Sequence, residues 1–267
     1  MRKEFLLPGG AVVLGIGGFF LRGWELRTAF EPDTGLAVSG MPATVCLIGL
    51  SILVALAAIV LAYTYRKTDF SPDYDSAFFA PHPLYFAAML LAAALVLAAG
   101  LLGMWQYFNH MYVQIVRFVF SIFCVMMAAS YFIMASSNFR GRREGQYSLY
   151  LLIPAFGSCL WLLVTYLIQS GNPVMLEYVY GILAVISAVL STYFVTGFAF
   201  GYRKPLCLIA FSLMGIYFGI VALQGANLVF GLLYGSAVLY QLSNVTTFLY
   251  RTQHPTQFVT EVISDEG

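Results

Sequence analysis

The sequence predicts an all-α integral membrane protein: a bundle of eight transmembrane helices with short loops and with both termini in the cytoplasm. Of the 267 residues, 61% are hydrophobic and only 9% are charged, whereas soluble domains carry about 25% charged residues. The apolar residues are gathered in runs of about twenty, the length that a helix needs to cross roughly 30 Å of hydrocarbon. Lysine and arginine are concentrated in alternate loops, which sets the orientation.

Eight apolar segments form one polytopic domain over residues 1–249, and a cytoplasmic tail follows at 250–267. The first segment is short and interrupted by Pro8 and glycines, which membrane helices tolerate where neighbours pack against the backbone. Arg22 and Glu25 follow it, rather than a small-residue cleavage site, so we expect a retained span and not a signal peptide. In chain order the segments fall near 5–21, 42–64, 83–105, 112–135, 148–169, 176–199, 205–223 and 227–249.

The distribution of basic residues predicts that the amino terminus is cytoplasmic. With that orientation ten of the thirteen Lys and Arg residues lie inside, and only Arg22, Arg27 and Arg117 lie outside, as the positive-inside bias requires. Removing any one span would reverse the bias downstream, so the pattern also supports the count of eight. We expect the membrane to be a bacterial cytoplasmic membrane, with the chain N-in and C-in.

Three pairs of glycines, spaced four residues apart, occur in or beside the last three segments. Glycines at this spacing share one helix face and let a neighbouring backbone approach closely. Because only Gln224-Gly225-Ala226 joins the last two segments, we expect them to form a tight hairpin on these faces; a homo-oligomer interface is the alternative. The pairs are Gly197 and Gly201, Gly215 and Gly219, and Gly231 and Gly235.

Two acidic loop motifs have a simpler structural interpretation than a catalytic one. Asp33-Thr34-Gly35 matches an aspartic protease triplet, but such an enzyme needs two copies that share one proton. We therefore expect a turn in which the glycine takes a positive φ. Asp69, Asp73 and Asp75 could hold a divalent cation, but a solvated linker beside basic residues is favoured.

No other residue pattern predicts a catalytic, cofactor or metal site. The three histidines lie far apart in sequence, without metal-ligand spacing, and no phosphate-binding loop or nucleophile motif occurs. The four cysteines lie in or at the ends of apolar segments, and we expect them to be small buried hydrophobic residues. We therefore expect no cofactor, no metal and no enzymatic activity. These residues are His82, His110 and His254, and Cys46, Cys124, Cys159 and Cys207.

Polar residues in the outer half of the bundle are the candidate ligand site. Arg117 lies about one and a half turns inside the fourth segment, where insertion costs up to roughly 3 kcal/mol at the membrane centre. Glu177 is predicted at the same level, together with Gln114 and His110. Arg117 could anchor a carboxylate or phosphate in an outward-opening pocket, with Glu177 as its resting partner. We favour the structural alternative, in which Arg117 snorkels to the headgroups or simply pairs with Glu177.

The last segment carries an unusual number of polar side chains. They predict a face toward a cavity or toward other helices, and interhelical hydrogen bonding is the slightly simpler interpretation. These residues are Ser236, Gln241, Ser243, Asn244, Thr246 and Thr247.

The function that fits these observations best is a small-molecule permease, or the membrane subunit of a transport system. The alternative is a membrane sensor or assembly partner without catalytic activity, whose loops contact another membrane or cytoplasmic protein. The lipid bilayer is an expected partner, and nucleic acid is not, because the net charge is only +1 and nucleic-acid binding needs clustered Lys and Arg. No loop is long enough to fold a separate catalytic domain.

Overall fold

The computed structural model describes residues 3–31, 33–68, 70, 74–109, 115–141 and 148–254. Within these residues eight helices are long and apolar enough to span a membrane, which confirms the predicted all-α membrane bundle. A ninth, short helix lies between the second and third spans. The helices are α1 (Lys3–Thr28), α2 (Pro42–Thr64), the short α3 (Tyr74–Phe78), α4 (Pro83–Asn109), α5 (Ile115–Arg140), α6 (Ser148–Gln169), α7 (Met175–Ala199), α8 (Pro205–Leu223) and α9 (Leu228–Gln253).

Six of the long helices form a closed cycle of contacts. Each helix from α4 to α8 packs against the next helix in the chain, and α9 packs against α4. The helices α1 and α2 pack on the outside of this cycle, chiefly against α8. With eight spans, α1 begins and α9 ends at the same end of the bundle, here named the terminal end. The end at which α1 finishes and α9 begins is named the opposite end.

The first helix is longer than the sequence predicted. It was expected to end near residue 21, but α1 continues to Thr28 with Pro8 inside it. Arg22 and Glu25 therefore belong to a helix and not to an exterior loop. The remaining connection to α2 is a turn in which Gly35 has a φ of 67°, which confirms the positive φ expected of that glycine.

Glycines bring α8 close to helices on two of its sides. On one side Gly18 of α1 faces α8, and a Cβ there would lie 2.6 Å from Cγ2 of Val221. On the other side a Cβ at Gly219 would lie 2.5 Å from Cγ2 of Val238 on α9, and Gly215 lies against the side-chain amide of Gln241. The backbone of α8 thus approaches both neighbours where larger side chains would not fit.

The remaining glycine pairs have other surroundings. Gly235 faces Leu95 of α4, and the space beside Gly231 is open. Gly197 and Gly201 end α7: the amide of Tyr202 donates to the carbonyl of Gly197 at 2.8 Å, and Gly201 has a φ of 76°. This is the hydrogen-bond pattern of a glycine C-cap, so the spacing of four here reflects helix termination.

Side-chain hydrogen bonds join several pairs of neighbouring spans. Such bonds matter because helices in hydrocarbon gain no hydrophobic free energy from contacting each other. They connect Ser51 to the Tyr217 hydroxyl (3.0 Å), Ser191 to Ser212 (2.7 Å), Thr196 to the Leu151 carbonyl (2.9 Å), Ser130 to the Tyr150 carbonyl (2.5 Å) and Ser236 to the Ala92 carbonyl (2.8 Å).

The connection between α2 and α4 packs into the terminal end of the bundle. The prediction of a solvated linker is wrong for residues 74–80, because Phe78 is fully buried and its ring lies 5.7 Å from that of Phe198 and 5.8 Å from that of Phe248. Burial of these large aromatic side chains is favourable because it removes much apolar area from water. The connection therefore packs into the bundle although acidic residues adjoin it. Of those acids, Asp69 and Asp73 lie outside the described residues.

Hydrogen bonds hold this connection in place. Asn138 of α5 donates from Nδ2 to the hydroxyls of Tyr85 at 2.7 Å and Tyr74 at 3.3 Å, and its carbonyl accepts from the amide of Ala80 at 2.9 Å. Burial raises the pKa of the Tyr74 hydroxyl far above its ordinary value, so it stays neutral. Arg251 of α9 donates from Nε to the carbonyl of Phe79 at 2.7 Å.

The outer surface of the bundle is apolar, as contact with lipid requires. Large hydrophobic side chains on several spans are more than half exposed, among them Phe20, Ile52, Leu84 and Leu149. A surface of this kind is stable only in a bilayer or a detergent micelle.

We expect Phe78→Ala to lower the free energy of unfolding by about 3–5 kcal/mol, because it leaves a cavity among packed aromatic rings. Thermal unfolding of the purified protein in detergent measures the loss. The matched control is Phe156→Ala, at a side chain that is 60% exposed and should cost far less. Equal losses in both variants would contradict the packing described for α3.

Candidate functional site

A cavity opens at the opposite end of the bundle, between α1, α6, α7 and the turn from α8 to α9. Its volume is about 240 Å³, which is room for about eight water molecules at roughly 30 Å³ each. This is below the range of drug-sized ligand pockets and suits a small metabolite. Polar residues of its lining are Arg22, Thr165, Gln169, Glu177, Tyr178, Tyr180, Gln224, Asn227 and Tyr234.

One of the residues that line this cavity, Arg22, belongs to a buried ion pair. Arg22 is 3% exposed and Glu25 is fully buried, and Nη1 of Arg22 lies 2.5 Å from Oε2 of Glu25. Nη2 of Arg22 also donates to the backbone carbonyl of Glu177 at 2.5 Å, and the guanidinium lies 5.1 Å from the centre of the Tyr180 ring. Arg22 therefore connects α1 to α7 while its charge is balanced within α1.

Local sequence explains why this pair can be buried. Residues three apart lie on the same face of a helix, so extending α1 beyond its predicted end brings the two opposite charges together. Gly23 leaves space on one face of α1 for the side chain of Gln224. A Cβ at this position would lie only 3.2 Å from Nε2 of Gln224. The turn from α8 can then close over the end of α1, with Gly225 at a φ of 88°.

Glu177 lies at the rim of the cavity, in the first turn of α7. Its side chain is exposed, and Oε2 accepts a hydrogen bond from Nδ2 of Asn172 at 2.7 Å. The amide of Val174 donates to Oδ1 of Asn172 at 2.9 Å, which fixes the orientation of that amide group. A carboxylate in the first turn of a helix interacts favourably with the partial positive charge of the helix N-terminus.

The structure brings Glu177 together with Arg22 and not with Arg117. Arg117 is half-buried on α5, and α6 lies between α5 and α7 in the cycle of contacts. No salt bridge joins Arg117 to Glu177, and Nε of Arg117 is buried without a hydrogen-bond partner, within the described residues. Gln114 and His110 lie outside those residues. Arg117 and Glu177 both lie near the starts of their helices, at the opposite end of the bundle, but this shared level does not make α5 and α7 neighbours.

The polar residues of α9 lie among the helices and away from the cavity. Ser236 bonds to α4, as described above, while Nδ2 of Asn244 donates to the carbonyl of Tyr240 at 2.8 Å and Ser243 donates to that of Leu239 at 2.7 Å, both on the same helix. What α9 contributes to the cavity is Phe230 and Tyr234. Bonds within and between helices thus account for several of these polar side chains.

The cysteines of the bundle differ in their exposure. The residues that the structure describes contain no group of three or more His, Cys, Asp or Glu able to hold a metal ion. Cys124 is buried as expected, but the expectation of burial is wrong for Cys46 and Cys159, which are exposed. Both lie on spans whose outer faces are apolar, so exposure here means contact with the surroundings of the bundle.

The fold and the cavity define a polytopic membrane protein with a small polar pocket at one end. Comparison of the chain with known protein families, with curated proteins and with solved structures finds no match in any of the three. The function must therefore be argued from the site.

Sequence reasoning predicts Arg22 and Glu25 at the same outer level as Glu177, but not as a buried ion pair on a helix. They were placed in a loop because the apolar run ends at residue 21. The signal that could have identified them is their spacing of three together with the apolar residues that continue around them, Trp24 and Leu26. A charged pair at helical spacing beside an apolar run predicts an extended helix with a buried ion pair.

We expect Arg22→Met to lower the free energy of unfolding by about 3–5 kcal/mol, because it leaves the Glu25 carboxylate buried and unpaired. The double variant Arg22→Met with Glu25→Leu should recover most of this loss, since both charges are then gone. Arg27→Met, at an exposed arginine of the same helix, is the control. Additive losses in the double variant, measured by unfolding in detergent, would show that the two side chains do not stabilise each other.

Proposed function

We propose that the protein is a small-molecule permease, or the membrane subunit of a transport system, whose ligand enters the cavity at the opposite end. The observation that carries the proposal is the 240 Å³ polar cavity itself. It lies where α1 meets the cycle of six helices, and binding sites in membrane transporters commonly occur where two groups of helices meet. The proposal gives the chain a binding and transport role and no catalytic one.

The packing of the described residues at the terminal end supports this interpretation. A transporter that works by alternating access has one end open and the other sealed at any moment. Tyr234, which lines the cavity, packs on Trp161 with ring centres 5.4 Å apart. At the terminal end Phe78 packs among aromatic rings. The structure fits the state of a permease that is open to the opposite side.

A non-transporting sensor is the second candidate, and the same packing at the terminal end favours it. Hydrogen bonds from Asn138 and Arg251 tie the segment that includes Tyr74, Phe79 and Tyr85 to α5 and α9. If that end never opens, the cavity binds its ligand and passes the signal to a partner. The two candidates differ in one measurable property, which is flux across the membrane.

We expect proteoliposomes containing the protein to take up at least one member of a panel of radiolabelled amines, carboxylates, sugars and alcohols of about ten heavy atoms or fewer. Ala226→Phe should abolish that uptake, because Ala226 lines the cavity and the ring would fill it. Ala37→Phe, at an exposed alanine of the opposite end, is the matched control. Uptake that survives in Ala226→Phe would remove the cavity from the pathway, and binding without uptake would favour the sensor.

We also propose that the terminal end is cytoplasmic, in a bacterial cytoplasmic membrane. In the predicted topology ten of the thirteen Lys and Arg residues lie on the side of the terminal end, and basic residues are concentrated on the cytoplasmic side of membrane proteins. In a cysteine-free variant, Asp33→Cys at the opposite end should react with a membrane-impermeant maleimide in intact cells. Lys204→Cys, exposed at the terminal end, should react only after permeabilisation. The reverse pattern of labelling would invert the orientation.

A further inference from the structure

We infer that the ligand of the opposite-end cavity is a small organic cation, with its ammonium group beside the Glu177 carboxylate and the aromatic wall. The inference rests on the proposed function only in requiring that the cavity binds a small molecule. It differs from the sequence-based expectation, in which an arginine was to anchor a carboxylate or phosphate.

The first step is that the charge of Arg22 is already paired within the protein. Its two terminal nitrogens are engaged by Glu25 and by the Glu177 carbonyl, and its guanidinium lies over the Tyr180 ring. An anionic ligand that took over the charge of Arg22 would displace the Glu25 carboxylate. That group would then be left buried without its counter-charge, which is strongly unfavourable.

The second step is the balance of charge around the cavity. Among the described lining residues the ionisable groups of full charge are Arg22 and Glu177, and Arg22 is already neutralised by Glu25. Glu177 is left with one neutral donor, the amide of Asn172. The cavity therefore carries a net charge close to −1, which attracts a cation and repels an anion.

The third step is the aromatic wall. Tyr178, Phe230 and Tyr234 line the cavity beside Tyr180, and the faces of such rings attract cations within about 6 Å. Tyr180 shows this within the protein, since it holds the Arg22 guanidinium at 5.1 Å. A carboxylate and several aromatic rings in one half-open cavity are the groups that recognise an ammonium ion.

The fourth step is size. A cavity that holds about eight water molecules admits a ligand of roughly the dimensions of butylamine. The matched probes n-butylammonium, n-butanol and butyrate have the same carbon chain and differ in charge. Comparing them separates the contribution of charge from that of shape.

We expect isothermal titration calorimetry on the full chain in detergent to show n-butylammonium binding at least about tenfold more tightly than n-butanol or butyrate. Glu177→Gln should weaken n-butylammonium binding by about tenfold while leaving the unfolding temperature unchanged, since Glu177 is exposed. Glu31→Gln is the control, because that exposed carboxylate lies at the same end of the bundle and bonds to Thr34 outside the cavity.

The outcomes separate this inference from the proposed function. Equal or tighter binding of butyrate or n-butanol, abolished by Ala226→Phe, would overturn the cationic ligand and leave the cavity as a binding site. Unaltered n-butylammonium binding in Glu177→Gln would also overturn it. If none of the three probes binds, the inference fails, and the uptake panel alone decides whether the cavity carries a ligand.

Discussion

The close approach of α8 to its neighbours is the constraint on which the rest of the bundle depends. Lipid tails are as apolar as leucine, so spans associate through contact and hydrogen bonding and not through the hydrophobic effect. Gly18 on one side of α8 and Gly215 and Gly219 on the other remove the side chains that would keep the backbones apart. With α8 fixed between α1 and α9, the cycle of six helices closes and α1 reaches the opposite end beside α7.

Buried polar groups then decide which helices meet. An unpaired hydroxyl in hydrocarbon costs several kcal/mol, and in five cases a serine or threonine of one span bonds to a hydroxyl or a carbonyl of a neighbouring span. The Arg22–Glu25 pair is the most demanding case. It can lie inside because the guanidinium bonds at once to a carboxylate on its own helix and to a carbonyl on α7, and the polar groups gathered around it form the cavity.

The level of a residue along the bundle could be predicted from the sequence, but the helices that lie next to it could not. The positions of Arg117 and Glu177 along their spans indicated correctly that both lie toward the same end of the bundle. Whether two such residues touch depends on the order of helices around the bundle, and α6 lies between theirs. The same limit applies to α3: its aromatic residues were visible, but the space that receives Phe78 is formed by α7 and α9, far along the chain.

By itself, the sequence determined that this chain is a helical membrane protein, how many spans it has and which ends of the spans share a side, because length, hydropathy and charge act locally on each segment. Only the tertiary structure decided that α1 extends through Arg22 and Glu25, that the α8–α9 contact uses Gly215 and Gly219 and that the cavity belongs to Glu177 and Arg22. These features depend on which side chains face each other across helices, and that is set by the packing of the whole bundle.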